Sequence, residues 1–131
     1  MQSMLKRRWL GYVAGAVTIV TGGAAGLWVG IHQVHEYQID QRIDRFSDLI
    51  DQYATDNDLP TALVRAIVRA ESGGRPRAVS KKNAVGLMQI TAPAEQDVLR
   101  LRRWSGGDLT DPQYNLRIGT AYLRTLLDRF E

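Results

Sequence analysis

Apolar and polar positions change rhythm several times along the 131 residues of this chain. From Trp9 to Ile31 there are 23 residues without a charged side chain, and about 20 apolar residues suffice to cross a bilayer as a helix. Residues 1–32 are therefore expected to form a short tip and a transmembrane anchor. Beyond it, Ile39, Ile43, Phe46, Ile50 and Tyr53 recur at steps of four, three, four and three. This predicts an amphipathic stem helix over residues 33–55 that either packs on the next domain or spaces that domain from the membrane. Asp56, Asn57, Asp58 and Pro60 punctuate the chain, with Thr61 as candidate N-cap of the next helix.

In that helix, TALVRAIVRAES, the residues Leu63, Ile67 and Glu71 stand four apart. They share one side, widened by Val64 and Val68, while Arg65 and Arg69 lie elsewhere. Gly73 and Gly74 are expected to end the helix and to let backbone approach whatever the Glu71 carboxyl group faces. The segment AVGLMQI reads as buried, with Gly86 for close packing. Thr91 and Pro93 open a further helix, and Asp111 before Pro112 caps another. The fold expected is mainly α, with a globular part over residues 56–131.

Lys6, Arg7 and Arg8 precede the apolar run with no acid among the first 33 residues. That bias keeps the N-terminus cytoplasmic and sends the remainder across the membrane. A cleaved secretory signal is the competing reading. The run continues past Gly23 and Ala25 to Ile31, longer than the usual core of about 7–15 residues, which favours a retained anchor. No cysteine is present, which removes disulfides, thiolate metal sites and thiol nucleophiles.

The net charge of +3 hides an uneven distribution. Residues 34–58 carry seven acids and two arginines, whereas residues 59–105 carry nine bases and three acids. The basic stretch suits an anionic partner or a solvated face. Nucleic acid is not expected, because aromatic platforms for single strands are missing and the anchor points the domain away from the cytoplasm. Arg100, Arg102 and Arg103 extend the basic surface.

Glu71 is the carboxylate with a chemical claim. Expected partly buried at the end of an apolar helix face, it would have a raised pKa and keep a proton to donate near neutral pH, as a general acid does. The same local features fit a solvated glutamate paired with Arg75 or Arg77. The other downstream carboxylates, Glu95, Asp97, Asp108 and Asp111, have no evident catalytic claim.

The stretch ESGGRPRAVS, with NAVGLMQI after it and DPQYNLRIGTAYLRTLL farther on, resembles the lytic murein transglycosylases of the soluble-lytic-transglycosylase family. The family pattern runs E-S-x-x-x-P-x-A-x-S, then G-A-x-G-L-M-Q, then D-P-x-x-N-x-x-x-G-x-x-Y-L. Residues 56–128 carry the resemblance, and the intervening segment is most similar to the endo-acting, membrane-bound C and E types. It implies a lysozyme-like helical domain, partial here, with Glu71 as the single acid/base. Ser80 and Gln89 fall at substrate-positioning places, and Gly86, Met88, Asn115 and Tyr122 at structural places near the cleft. No metal and no other cofactor is implied.

The implied partner is the peptidoglycan glycan strand, and the implied location is the outer side of the bacterial inner membrane, held there by residues 9–31. The implied reaction is non-hydrolytic cleavage between N-acetylmuramic acid and N-acetylglucosamine, leaving 1,6-anhydromuramic ends. Asn83 stands where the family usually has glycine, a residue type that tolerates the left-handed conformation. Lys82 occupies a place where close relatives carry serine. The family's later tyrosine-asparagine motif has no counterpart before Glu131. That difference raises a second reading: a membrane-tethered wall-binding or assembly protein without turnover.

Overall fold

A computed structural model describes residues 26–28, 31 and 33–130. The chain divides into two compact units, one through Tyr37 and one from Gln38 onward. The described residues of the first are helical and largely exposed. Most of the expected span over residues 9–31 lies outside the described residues. Among those that are described, no helix is long and apolar enough to cross a membrane.

In the second unit, a helix ending at residue 44 (α1, residues 38–44 in this unit) is followed by α2 (Ser47–Asp56), α3 (Thr61–Ser72), α4 (Ala92–Arg102) and α5 (Pro112–Leu127). The stem expected as one helix over 33–55 is thus broken by a turn at Arg45 and Phe46, where the Phe46 amide donates to Ile43 O at 2.9 Å. The four-three spacing continues through the break, so Ile43, Ile50 and Tyr53 all reach one core, at 2%, 0% and 6% exposure. These residues pack as part of the globular unit: α2 lies against both α3 and α5, and α4 lies against α5.

The α2–α3 connection is built from the expected punctuation. Asp58 takes the left-handed conformation (φ 51°) and the Leu59 amide returns to Ala54 O at 2.9 Å. Pro60, with extended backbone, is the N-cap of α3, and Thr61 is its first residue without a side-chain capping bond. The expected Thr61 cap is corrected to this extent. Proline's fixed φ presets the turn, and its carbonyl accepts from Leu63 and Val64 amides instead.

The buried face of α3 is Val64, Val68 and Ser72. Two adjacent aliphatic rows exist on this helix, and the core takes the row one residue later than the one ending in Glu71. Leu63 remains 37% exposed. Between α3 and α4, antiparallel bridges join Val79 to Val85 and Val85 to Ile90, folding residues 78–90 back on themselves. Leu87 and Met88 from this loop enter the core with Leu116, Ile118 and Val98. No strand forms among the described residues.

Candidate active site

Glu71 occupies the last turn of α3, which stops because Gly73 adopts the left-handed conformation (φ 58°) and its amide donates to Arg69 O at 3.1 Å. The final carbonyls of a helix lack intrahelical partners. Here Arg75 Nε donates to Ser72 O at 2.8 Å and Arg42 Nε donates to Gly73 O at 3.0 Å. Both cations sit at the negative end of the helix dipole and offset the cost of a glutamate there. Arg75, one of the two arginines that a solvated Glu71 could pair with, is thus used on backbone.

The Glu71 side chain is solvent-exposed, which corrects the half-buried placement expected from its row. Its row, Leu63 and Ile67, runs along the margin of the core while Val64, Val68 and Ser72 fill it. No ion pair or hydrogen bond to another described residue holds the carboxylate.

Its neighbour Ser72 is 2% exposed, and its hydroxyl lies 3.1 Å from Val68 O and 2.9 Å from Leu87 O. This bond fastens the glutamate's helix to the loop bearing Gln89. Sequence reasoning misses this role, although a serine directly after the glutamate is its visible signal. Gly74 likewise serves a neighbour: a Cβ there would stand 3.0 Å from Ile43 N and from Arg42 Cβ, so the missing side chain admits α1.

Ser80 and Gln89 lie on the same folded loop. Ser80 Oγ accepts from the amides of Lys82 (3.2 Å) and Ala84 (3.1 Å), closing a turn in which Asn83 is left-handed at φ 59°. Gln89, also at positive φ (49°), donates from Nε2 to Ala78 O at 3.1 Å and Gly86 O at 3.0 Å. Both polar residues therefore build the loop. Between Glu71 and either of them no hydrogen bond runs. A cleft of about 450 Å³ is lined by Arg75, Pro76, Arg77, Ala78 and Val79.

Asn115 is the knot behind this loop. Fully buried, it accepts from the Met88 amide at 2.8 Å and donates to Val85 O (2.9 Å) and Leu109 O (2.8 Å). Gly86, at φ 85°, leaves room for it: a Cβ there would meet Asn115 Nδ2 at 2.1 Å and Leu109 O at 2.4 Å. Met88 fills the groove beside Gly119, and Tyr122 packs partly buried against the same core.

Of the remaining downstream carboxylates, Asp111, Asp108 and Glu95 have structural partners. Asp111 caps α5 by accepting from the Tyr114 amide at 2.8 Å. Asp108 accepts from the Thr110 amide and hydroxyl, both at 2.8 Å, and these bonds hold its pKa below the usual carboxylate value. Glu95 accepts from the Tyr114 hydroxyl at 2.5 Å, and burial together with that bond pushes the phenol up to about 12. Asp97 is exposed on α4. The basic end of α4 meets Trp104, with the guanidinium of Arg117 at 3.8 Å and that of Arg102 at 5.9 Å from its ring. Among the described residues, no three His, Asp or Glu side chains group closely enough to hold a metal ion.

Residues 48–131 match the family described as transglycosylase SLT domain. The chain belongs to that family. It is 54% identical over 69 residues to an endo-type membrane-bound lytic murein transglycosylase A of Cronobacter sakazakii, a match covering 49% of this chain and 34% of the relative. Among solved structures it resembles the 70 kDa soluble lytic transglycosylase of Escherichia coli, with TM-score 0.61 and 31% identity over 65% of this chain and 14% of that one. The 70 kDa enzyme is also known in complex with bulgecin A. An inactive variant of lytic transglycosylase Slt from Pseudomonas aeruginosa aligns with TM-score 0.61 and 27% identity, over 63% of this chain and 14% of that one. The SLT domain chain thus spans about a third of the curated relative's length and about a seventh of each solved relative's. Its architecture is the lysozyme-like, mainly helical one of the family.

Proposed function

We propose that this SLT domain is the glycan-cleaving part of a peptidoglycan lytic transglycosylase, with Glu71 as its single acid and base. The observation that carries the reading is the division of labour among the carboxylates. Glu95, Asp108 and Asp111 are each bonded to a nearby residue and Asp97 stands exposed in the middle of α4, whereas Glu71 projects from a helix end that two arginines and a buried serine fix. Hydrolysis by the usual route uses two carboxyl groups flanking the bond. One suffices when the nucleophile belongs to the substrate.

In that scheme Glu71 gives its proton to the glycosidic oxygen as the bond to C1 of N-acetylmuramic acid breaks. The acetamido oxygen of the same sugar stabilises the cationic C1. The Glu71 carboxylate then takes the proton of the C6 hydroxyl, whose oxygen bonds to C1 and closes the 1,6-anhydro ring. Proton count and charge return to the start, and no water is consumed. An exposed carboxyl group is desolvated when a sugar docks on it, which favours the protonated form at that moment. Ser80 and Gln89 shape the loop beside the glycan, and the basic stretch attracts its peptide and lactyl carboxylates. The apolar run over residues 9–31 would hold the domain beside the wall on the outer side of the inner membrane.

The exposure of Glu71 also favours a second reading, in which a tethered protein of this family binds the wall without turnover. Purified sacculi separate the two. The enzyme releases soluble anhydromuropeptides, and Glu71→Gln abolishes release while leaving the circular dichroism spectrum unchanged. Wild-type release no higher than that of Glu71→Gln, with sacculi still pulled down, establishes the binding protein.

A further inference from the structure

Residues 38–47 precede the family span that starts at 48, yet they belong to the same compact unit. They grip α3 along its length. Asp44 pairs with Arg65 at 2.5 Å, Asp40 pairs with Arg69, and Arg65 Nη1 donates to Ser47 Oγ at 2.9 Å. The series ends with the bond from Arg42 Nε to Gly73 O, two residues beyond Glu71, and with Ile43 lodged against Gly74.

The outer ion pairs are half exposed, and such pairs contribute little to stability. The Arg42 contact differs in kind. It is charge-assisted, partly buried, and satisfies a carbonyl left orphaned by the end of the helix. No side chain holds the Glu71 carboxylate, so the backbone of the last turn is what sets the position from which it reaches out. Arg42 fixes the end of that turn. A misplacement of about 1 Å in a reacting group can cost on the order of a hundredfold in rate.

We propose that Arg42, from outside the family span, is a positioning residue for Glu71, acting through Gly73. This rests on the reading of Glu71 as the acid and base. The test compares the full chain with Arg42→Ala, Arg42→Lys, Asp40→Ala and Glu71→Gln. The first readout is amide hydrogen exchange at Gly73; the second is kcat and KM for anhydromuropeptide release from soluble glycan strands.

Arg42→Ala should speed exchange at Gly73 about tenfold while Val64 to Val68 keep their protection. It should lower kcat on the order of tenfold with KM within about twofold. Arg42→Lys, which retains a cationic donor, should recover part of both effects, and Asp40→Ala should leave both near wild type. Should Arg42→Ala leave Gly73 exchange and kcat unchanged while Glu71→Gln is inactive, Arg42 has no positioning role. If Glu71→Gln releases as much product as wild type, the catalytic reading fails, and this proposal fails with it. If Arg42→Ala loses protection throughout the unit, the partial recovery by Arg42→Lys decides: kcat restored with Gly73 protection supports the proposal, and stability restored without kcat overturns it.

Discussion

Replacing Asn115 by alanine removes three hydrogen bonds at once, and the structure says which partners are left stranded. Val85 O also accepts from the Ile90 amide at 2.9 Å, so it keeps a donor. The Met88 amide and Leu109 O have no second bond to turn to among the described residues. An orphaned buried group costs about 1–3 kcal/mol and an ordinary lost bond about 1 kcal/mol, so two orphans and one lost bond give an expected loss of about 3–7 kcal/mol. Native stability totals roughly 5–15 kcal/mol, so urea unfolding followed by circular dichroism should show the variant near the limit of folding.

Asn115→Asp sharpens the test. One carboxylate oxygen can still accept from the Met88 amide, but the other takes the place of Nδ2 and faces the carbonyls of Val85 and Leu109. Burial and those two oxygens favour the protonated acid, so the folded-state pKa rises above the unfolded value of about 3.9. The folded protein then binds more protons than the unfolded chain, and stability falls as pH rises from about 4. The gap between Asn115→Asp and wild type should therefore widen from about pH 4 to about pH 7. A gap that stays flat, or an Asn115→Ala loss under about 1 kcal/mol, would refute the assignment of these three bonds as the knot of the loop.

Two further outcomes concern packing and titration. Gly119→Ala places a Cβ 2.4 Å from Met88 Sδ and 2.9 Å from its Cβ, and should cost about 1–3 kcal/mol in urea unfolding, with Met88→Ala in the same chain relieving part of it. Tyr114, whose folded pKa of about 12 exceeds its ordinary 10.0, contributes stability that is intact below pH 10 and is lost as pH rises toward 12. The stability advantage of wild type over Tyr114→Phe should therefore vanish over that interval, checked by ultraviolet titration of the phenolate beside unfolding curves.

Much of this molecule is legible in its sequence where a local rule decides the outcome. Gly73 ends α3 in the left-handed conformation because glycine alone does so without strain, Asn83 takes the same region in its turn, and Asp111 caps α5 before Pro112. The family motifs are equally plain, since they are local strings. What escapes depends on which surfaces meet. Two aliphatic rows lie side by side on α3, and periodicity cannot say that the core takes Val64 and Val68 rather than Leu63 and Ile67. The four-three spacing of residues 39–53 also survives the turn at 45–46, so one long helix and two packed ones read alike. The motifs put Ser80 and Gln89 toward substrate, yet their hydrogen bonds run to the backbone of their own loop, a use that spacing along the chain does not reveal.

The lodging of Ile43 and Arg42 against the glycine pair bears on where the domain can be cut. Ile43 is 2% exposed, so a recombinant fragment begun at residue 48 would strip an aliphatic cover from the interior and uncap the rim of α3. A piece that keeps this cover starts near Gln38, ten residues ahead of the boundary that family similarity draws.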